Sequence, residues 1–154
     1  MENQEIKNEI KDMLEGLLHH MNIPASVEET ELLESVCFCV RTQDGGVLIG
    51  ENGQHLFALH TLLRRMAEKR YQKEYPHFLV DINDYQRKRI EEIRERARMS
   101  AQRVRYFKKE VVMQPMSAYE RRIIHVSLMG DPDVTTESRG EGETRHVVIK
   151  PTSI

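Results

Sequence analysis

Residues 47–65 read VLIGENGQHLFALHTLLRR. An apolar run, Val47 to Ile49, leads into a Gly-x-x-Gly segment, Gly50 to Gly53. After it, Leu56, Leu59, Leu63 and Met66 recur at helical spacing and predict an amphipathic helix over Gln54–Tyr71. A bare Gly-x-x-Gly is weak evidence, because with Gly at roughly 7% of residues a chain of this length holds about one by chance. Its setting gives it meaning. Glycines let a second backbone approach with no Cβ in the way, and N–H groups at a helix start can meet a phosphate. The enclosed Glu51 works against that, since a carboxylate at contact distance repels a phosphate by about 1 kcal/mol even in water. Three arrangements stay open: binding through backbone N–H groups beside the acid, Glu51 turned away from the strand, or a face that pairs with protein. The glycines can also simply close a tight turn between packed elements.

Outward from this stretch, Ile6, Ile10, Met13, Leu14, Leu17 and Leu18 predict a helix over Glu2–Met21. ASVEETELL and ESVCFCVRT predict two strands, the second apolar on both faces and therefore central. QDGG reads as a turn and HFLVDI as a third strand. A long helix is expected from Asp84 to Phe107, with Ile90, Ile93, Ala97, Ala101 and Val104 as its apolar seam. EVVMQP is a short strand, and Ser117 with Glu120 forms a capping box for a helix reaching Met129. VTTES and TRHVVIKP are two further strands around the tight RGEGE connection. The order predicts an α+β protein of two small modules, residues 1–83 and 84–154, with no Gly/Ser-rich linker between them.

Composition narrows the classes. The 154 residues are 39% apolar and 31% charged with no Trp, as expected for a water-soluble globular chain, and no run of about 18 apolar residues exists to insert in a membrane. The opening MENQEIKNEIKDMLEGLL is acidic and unlike a signal or transit peptide, so a cytoplasmic location is expected. Cys37 and Cys39 lack the second pair that a structural zinc needs, and at strand spacing they face one way as small hydrophobes. Among the remaining histidines, His19, His20, His55, His60, His77 and His146, no metal-binding spacing occurs. No phosphate-binding or nucleophile fingerprint is present, and His125 has no identifiable carboxylate partner. No cofactor, no metal and no enzymatic activity are expected.

The net charge of −2 hides an asymmetry. Residues 1–36 hold nine acidic and two basic residues, whereas 87–109 hold ten basic and three acidic, an excess of seven. Pairing at i,i+4, as between Glu92 and Arg96, would solvate such a helix with less, so a polyanionic partner is expected. Arg121 and His125 stand one helical turn apart on a shared face. Arg supplies a phosphate fork and His stacks on or hydrogen-bonds a base, although a solvated helix face shows the same spacing.

Two strands, Gly-x-x-Gly and a following helix are the order of a KH domain, whose loop clamps about four nucleotides. The helix and two strands ahead of the loop make it resemble the type II, prokaryotic arrangement. PMSAYERRIIHVSL and DPDVTTESRGEGETRHVVIKP (residues 115–128 and 131–151) in turn resemble the domain named for its Arg-x-x-x-His motif, the R-three-H domain, of the bacterial Jag (SpoIIIJ-associated) family. The matching residues are Pro115, Met116, Tyr119 to Arg122, His125, Thr136, Ser138, Gly140, Gly142 and Arg145 to Ile149. LIGENGQHLFALHTL matches the same family, and the tandem covers nearly the whole chain.

The resemblance implies a single-stranded RNA-binding protein, with single-stranded DNA as the alternative strand. It further implies RNA chaperoning or post-transcriptional control linked to cell elongation or envelope growth, and a small KH-domain partner or a homodimer. The implied contacts are Ile49, Gly50, Glu51, Asn52 and Gly53 in the first module, and Arg121, Arg122, His125 and Arg145 in the second. The basic helix would serve as an electrostatic track. The rival expectation is an adapter that uses the KH face to pair with another KH protein. Family members often carry a further N-terminal domain, whose functions are not carried over to a chain beginning at the KH helix. KH loops that grip RNA usually hold a basic residue where Glu51 and Asn52 stand. Replacing both glycines by Asp is expected to spare the fold, and so is removing Arg121 and His125 together.

Overall fold

The structure, a computed structural model, describes residues 2–152. The chain packs as two compact units, Met1–Arg87 and Lys88–Ile154. Their elements are helices and strands intermixed, an α+β protein.

In the first unit, α1 (Glu2–His20) leads to β1 (Ala25–Leu32) and β2 (Ser35–Thr42), then α2 (Gly45–Ile49), α3 (Gln54–Tyr71) and β3 (Phe78–Ile82). The sheet order is β1-β2-β3, antiparallel between β1 and β2 and parallel between β2 and β3. Parallel neighbours need a crossover, and α2 with α3 supplies it. As the doubly apolar pattern of β2 required, that strand is central, with Cys37 to Val40 all buried. Phe38 and Val40 join Val80 and Ile82 in a core closed by Ile10 and Leu14 of α1 and by Leu56 and Leu63 of α3. Cys37 and Cys39 lie on the opposite face as free, buried thiols with sulfurs 3.6 Å apart, in the packing role. Burial and the neighbouring Cys39 push the Cys37 thiol well above its ordinary range, which makes it inert at neutral pH.

The QDGG segment is not simply a turn. Its two glycines open α2, a five-residue helix whose Leu48 is buried. Helices this short do not form on intrinsic propensity. This one is held by tertiary contacts, with Gly45 packed against Asn83, whose side chain exchanges two hydrogen bonds with the backbone of Thr42.

Most of α4 (Tyr85–Phe107) belongs to the second unit, followed by β4 (Val111–Val112), α5 (Ala118–Ser127), β5 (Val134–Arg139) and β6 (His146–Pro151). β6 lies in the middle of an antiparallel sheet ordered β4-β6-β5. Val147, Val148 and Ile149 of β6, Ile123 and Ile124 of α5 and the five-residue seam of α4 are all buried. The expected capping box is formed: Ser117 Oγ accepts from Glu120 N at 3.2 Å, and Glu120 Oε2 accepts from Ser117 N at 3.0 Å. Burial works to raise the Glu120 carboxyl, but the Ser117 N–H and the Arg89 guanidinium at 3.0 Å outweigh it and hold it below the ordinary carboxylate range.

Candidate nucleic-acid interface

Gly50 sits at φ 71°, ψ −178°, a region essentially closed to residues with a Cβ. Asn52 follows at φ 53° and Gly53 at φ 78°, both left-handed, and a single 3₁₀ turn (Glu51–Gly53) joins the loop to α3. That turn uses the N–H groups of Gly53, bonded to Gly50 O at 3.4 Å, and of Gln54. The N–H groups of Glu51 and Asn52 precede it and are available to a ligand. Glu51 and Asn52 are exposed, while Ile49, Gly50 and Gly53 are half-buried.

What holds the loop is His55, a residue the sequence pattern did not single out. Its Nδ1–H donates to Val47 O at 2.6 Å and so clips α3 to α2. The ring lies so close beneath Gly50 that a Cβ there would stand 2.6 Å from His55 Cγ. At Gly53 a Cβ would meet Tyr85 Cε1 at 3.1 Å. The expectation that Asp at both glycines spares the fold is therefore corrected: Gly50 is required by backbone conformation and by the imidazole.

In the second unit, Arg121 and His125 share one side of α5, and both are half-buried and engaged. Arg121 Nη1 donates to Met116 O at 2.9 Å, while Met116 N donates to Arg145 O at 3.1 Å, so one residue's backbone links Arg121 to the backbone of Arg145. His125 bonds Thr136 Oγ1 through Nδ1 at 2.6 Å and Ser138 Oγ through Nε2 at 3.0 Å. Thr136 and Ser138 are two apart on β5 and face the helix together. Burial, with the Arg121 charge one turn away, lowers the His125 pKa below its ordinary value. At neutral pH the ring is uncharged, one nitrogen donating and one accepting.

The expectation that Arg121 and His125 can be removed without cost to stability does not fit this geometry. His125 braces α5 against β5. The two hydroxyls that hold it belong to residues that carry the family resemblance, Thr136 and Ser138, but were not among the expected contacts. Arg122 and Arg145 are exposed and make no ion pair among the described residues, so they are free to meet an anion.

The helix excess of seven positive charges is only partly available. Arg94 pairs with Glu91 and Arg98 with Glu95, while Arg89 pairs with Glu120 and Arg105 with Asp131. The pairs formed within the helix are at i,i+3, and Glu92 with Arg96, the i,i+4 example of the solvated-helix alternative, is not among them for the described residues. Lys88, Arg96, Arg103, Lys108 and Lys109 have no ion pair among the described residues. Among those residues no three His, Cys, Asp or Glu side chains gather as a metal ion would need. No helix among them is long and apolar enough to cross a membrane.

Comparison with known proteins bears on these residues. Residues 88–151 match the family model of the R-three-H domain, a segment holding Arg121, Arg122, His125 and Arg145. The chain is 35% identical over 140 residues to a Clostridium symbiosum protein named RNA-binding protein KhpB, covering 90% of this chain and 63% of that protein. A Bacillus subtilis protein of the same name is 37% identical over 127 residues, covering 81% of this chain and 61% of its own length. A Streptococcus pneumoniae protein, again of that name, is 27% identical over 146 residues, covering 95% and 44%. The chain thus spans less than two thirds of the length of these relatives.

Proposed function

We propose that this chain binds single-stranded RNA without catalysis, through a type II KH module in the first unit and an R-three-H module in the second. The observation that carries the reading is the family match over residues 88–151, the segment that holds Arg121, His125 and the exposed Arg122 and Arg145, neither of which has an ion pair among the described residues. Relatives named for RNA binding along most of this chain support it further.

Support for the KH module is architectural. A strand, two helices and a parallel strand, with Gly-x-x-Gly between the helices, follow an added helix and antiparallel strand. A short segment of strand would lie along Ile49 to Gly53, its phosphates meeting the N–H groups of Glu51 and Asn52. In the second module Arg122 and Arg145 would meet phosphate, with Arg121 and the neutral His125 fixing the shape of the surface between them. Roles in RNA chaperoning or post-transcriptional control, tied to cell elongation, belong to the same proposal.

The test is direct binding of labelled single-stranded RNA across a salt series. Log K should fall against log salt with a slope of about −0.7 for each phosphate engaged. A flat response, or no binding to any single strand, would remove the function.

A second reading has its own observation. Phe57, early in α3, is 72% exposed, and Val47, just ahead of the loop, is 66% exposed. Apolar side chains beside an acidic loop suit a protein surface better than a phosphate backbone. On this reading the first unit pairs with another KH-domain protein or a second copy, and only the second unit holds RNA. A stable complex that survives loss of RNA binding would favour it.

A further inference from the structure

α4 sorts its charges around its circumference. On a helix turning about 100° per residue, its buried residues occupy one side, and the paired residues Glu91, Arg94, Glu95 and Arg98 flank them. The next sector holds Lys88, Arg96 and Arg103, exposed cations with no ion pair among the described residues, together with one acid, Glu92, and the exposed Met99. The cation row ends at Tyr106 and Phe107, which are 82% and 62% exposed. Their rings meet edge to face, centroids 4.8 Å apart at 79°, so each holds the other in place. A single exposed aromatic on a surface needs no explanation; an ordered pair at the end of a cation row does.

The surroundings of the pair are cationic. Arg103 lies one helical turn before both rings, and Lys108, left-handed at φ 56°, ends the helix with Lys109 beside it. The nearby acids are occupied: Glu110 by Arg139 at 3.2 Å, Asp131 and Asp133 by Arg105. The partial negative charge of the helix C-terminus is offset by the two lysines. A protein partner would want these rings among apolar neighbours. Ring faces bordered by cations without carboxylate partners suit bases followed by phosphates.

We propose that Tyr106 and Phe107 are a base-stacking platform, on which one or two unpaired bases of a single strand rest while Arg103, Lys108 and Lys109 meet the adjoining phosphates. This deepens the RNA-binding reading and rests on it. The chain has no Trp, so Phe107→Trp gives a single fluorescent reporter at the platform. Titrating this variant of the 154-residue chain with a uridine homopolymer should quench the introduced indole, and with the deoxy homopolymer as well if the platform ignores the sugar. Duplex RNA, whose bases are already stacked, should leave it unquenched.

The paired variant Tyr106→Leu with Phe107→Leu keeps apolar bulk but removes the π faces. It should raise Kd by roughly 5- to 150-fold, the range for losing one base–aromatic stack, with the salt slope unchanged because stacking releases no counterions. Strong binding with the indole unquenched, or a Leu pair that binds as well as the parent, would overturn the platform and leave RNA binding standing; the rings would then face some other partner, a protein included. Failure of the parent chain to bind any single strand would overturn both.

Discussion

Gly50→Ala tests whether the Gly-x-x-Gly loop is built by the fold or reserved for a ligand. Placing Ala at φ 71°, ψ −178° should cost about 1–3 kcal/mol of backbone strain. The new Cβ, at 2.6 Å from His55 Cγ, forces the ring away and breaks its 2.6 Å bond to Val47 O. A lost hydrogen bond of this kind adds about 0.5–1.5 kcal/mol, so the whole loss is about 1.5–4.5 kcal/mol. Gly53→Ala meets only the left-handed penalty, about 1–2 kcal/mol, with a milder 3.1 Å approach to Tyr85. Urea denaturation followed through the amide exchange of α3 isolates the first unit. Combining Gly50→Ala with His55→Ala should cost about 1 kcal/mol less than the two separate losses added together, because the broken bond is counted once. If Gly50→Ala is no worse than Gly53→Ala, or if His55→Ala brings no relief, the imidazole does not shape the loop.

His125→Ala should destabilise the second unit by about 1–3 kcal/mol, because two half-buried hydroxyls lose their partner; a melting temperature unchanged by the substitution would refute the brace. The same residue sets a pH dependence. Its folded pKa lies below the ordinary value of 6.5, so the unfolded chain binds the proton more readily and the brace contributes fully only above about pH 6.5. Stability of the second unit should decline as pH falls through that value and on through the lower folded pKa, and the parent should lose more than His125→Gln between neutral and mildly acid conditions. His60, also lowered by burial although its bond to Phe78 O opposes the shift, gives the first unit a decline of the same sign. Glu51→Lys should tighten RNA binding several-fold if the loop touches phosphate and steepen the salt slope; an unchanged Kd would take the loop out of the interface.

The long periodic elements were legible in the sequence. α1, α3 and α4 begin and end within a residue or two of where apolar spacing put them, and the doubly apolar β2 is central. α2 was not legible, because five residues opening on two glycines carry no helical signal and exist only through Leu48 and the fit of Gly45 to Asn83. Charge on α4 was legible as an excess but not as an arrangement. Glu120, Asp131 and Asp133, which silence Arg89 and Arg105, lie 26 or more residues away in sequence. The face shared by Arg121 and His125 was visible from helical spacing, whereas the hydroxyls of Thr136 and Ser138 come from a strand whose register with α5 only folding decides. His55 was hidden for the same reason, its role depending on the path of the chain from Val47.

Of the four residues from Gly50 to Gly53, three are spoken for. Gly50 and Gly53 are confined by neighbouring rings, and Asn52 occupies a left-handed conformation that Asn tolerates better than most. Only position 51 is exempt, its side chain in solvent and with no ion pair among the described residues. Mutation can therefore reverse the sign of the loop at that one place while the protein keeps its shape, so that, on the proposed function, residue 51 is where affinity could change independently of folding.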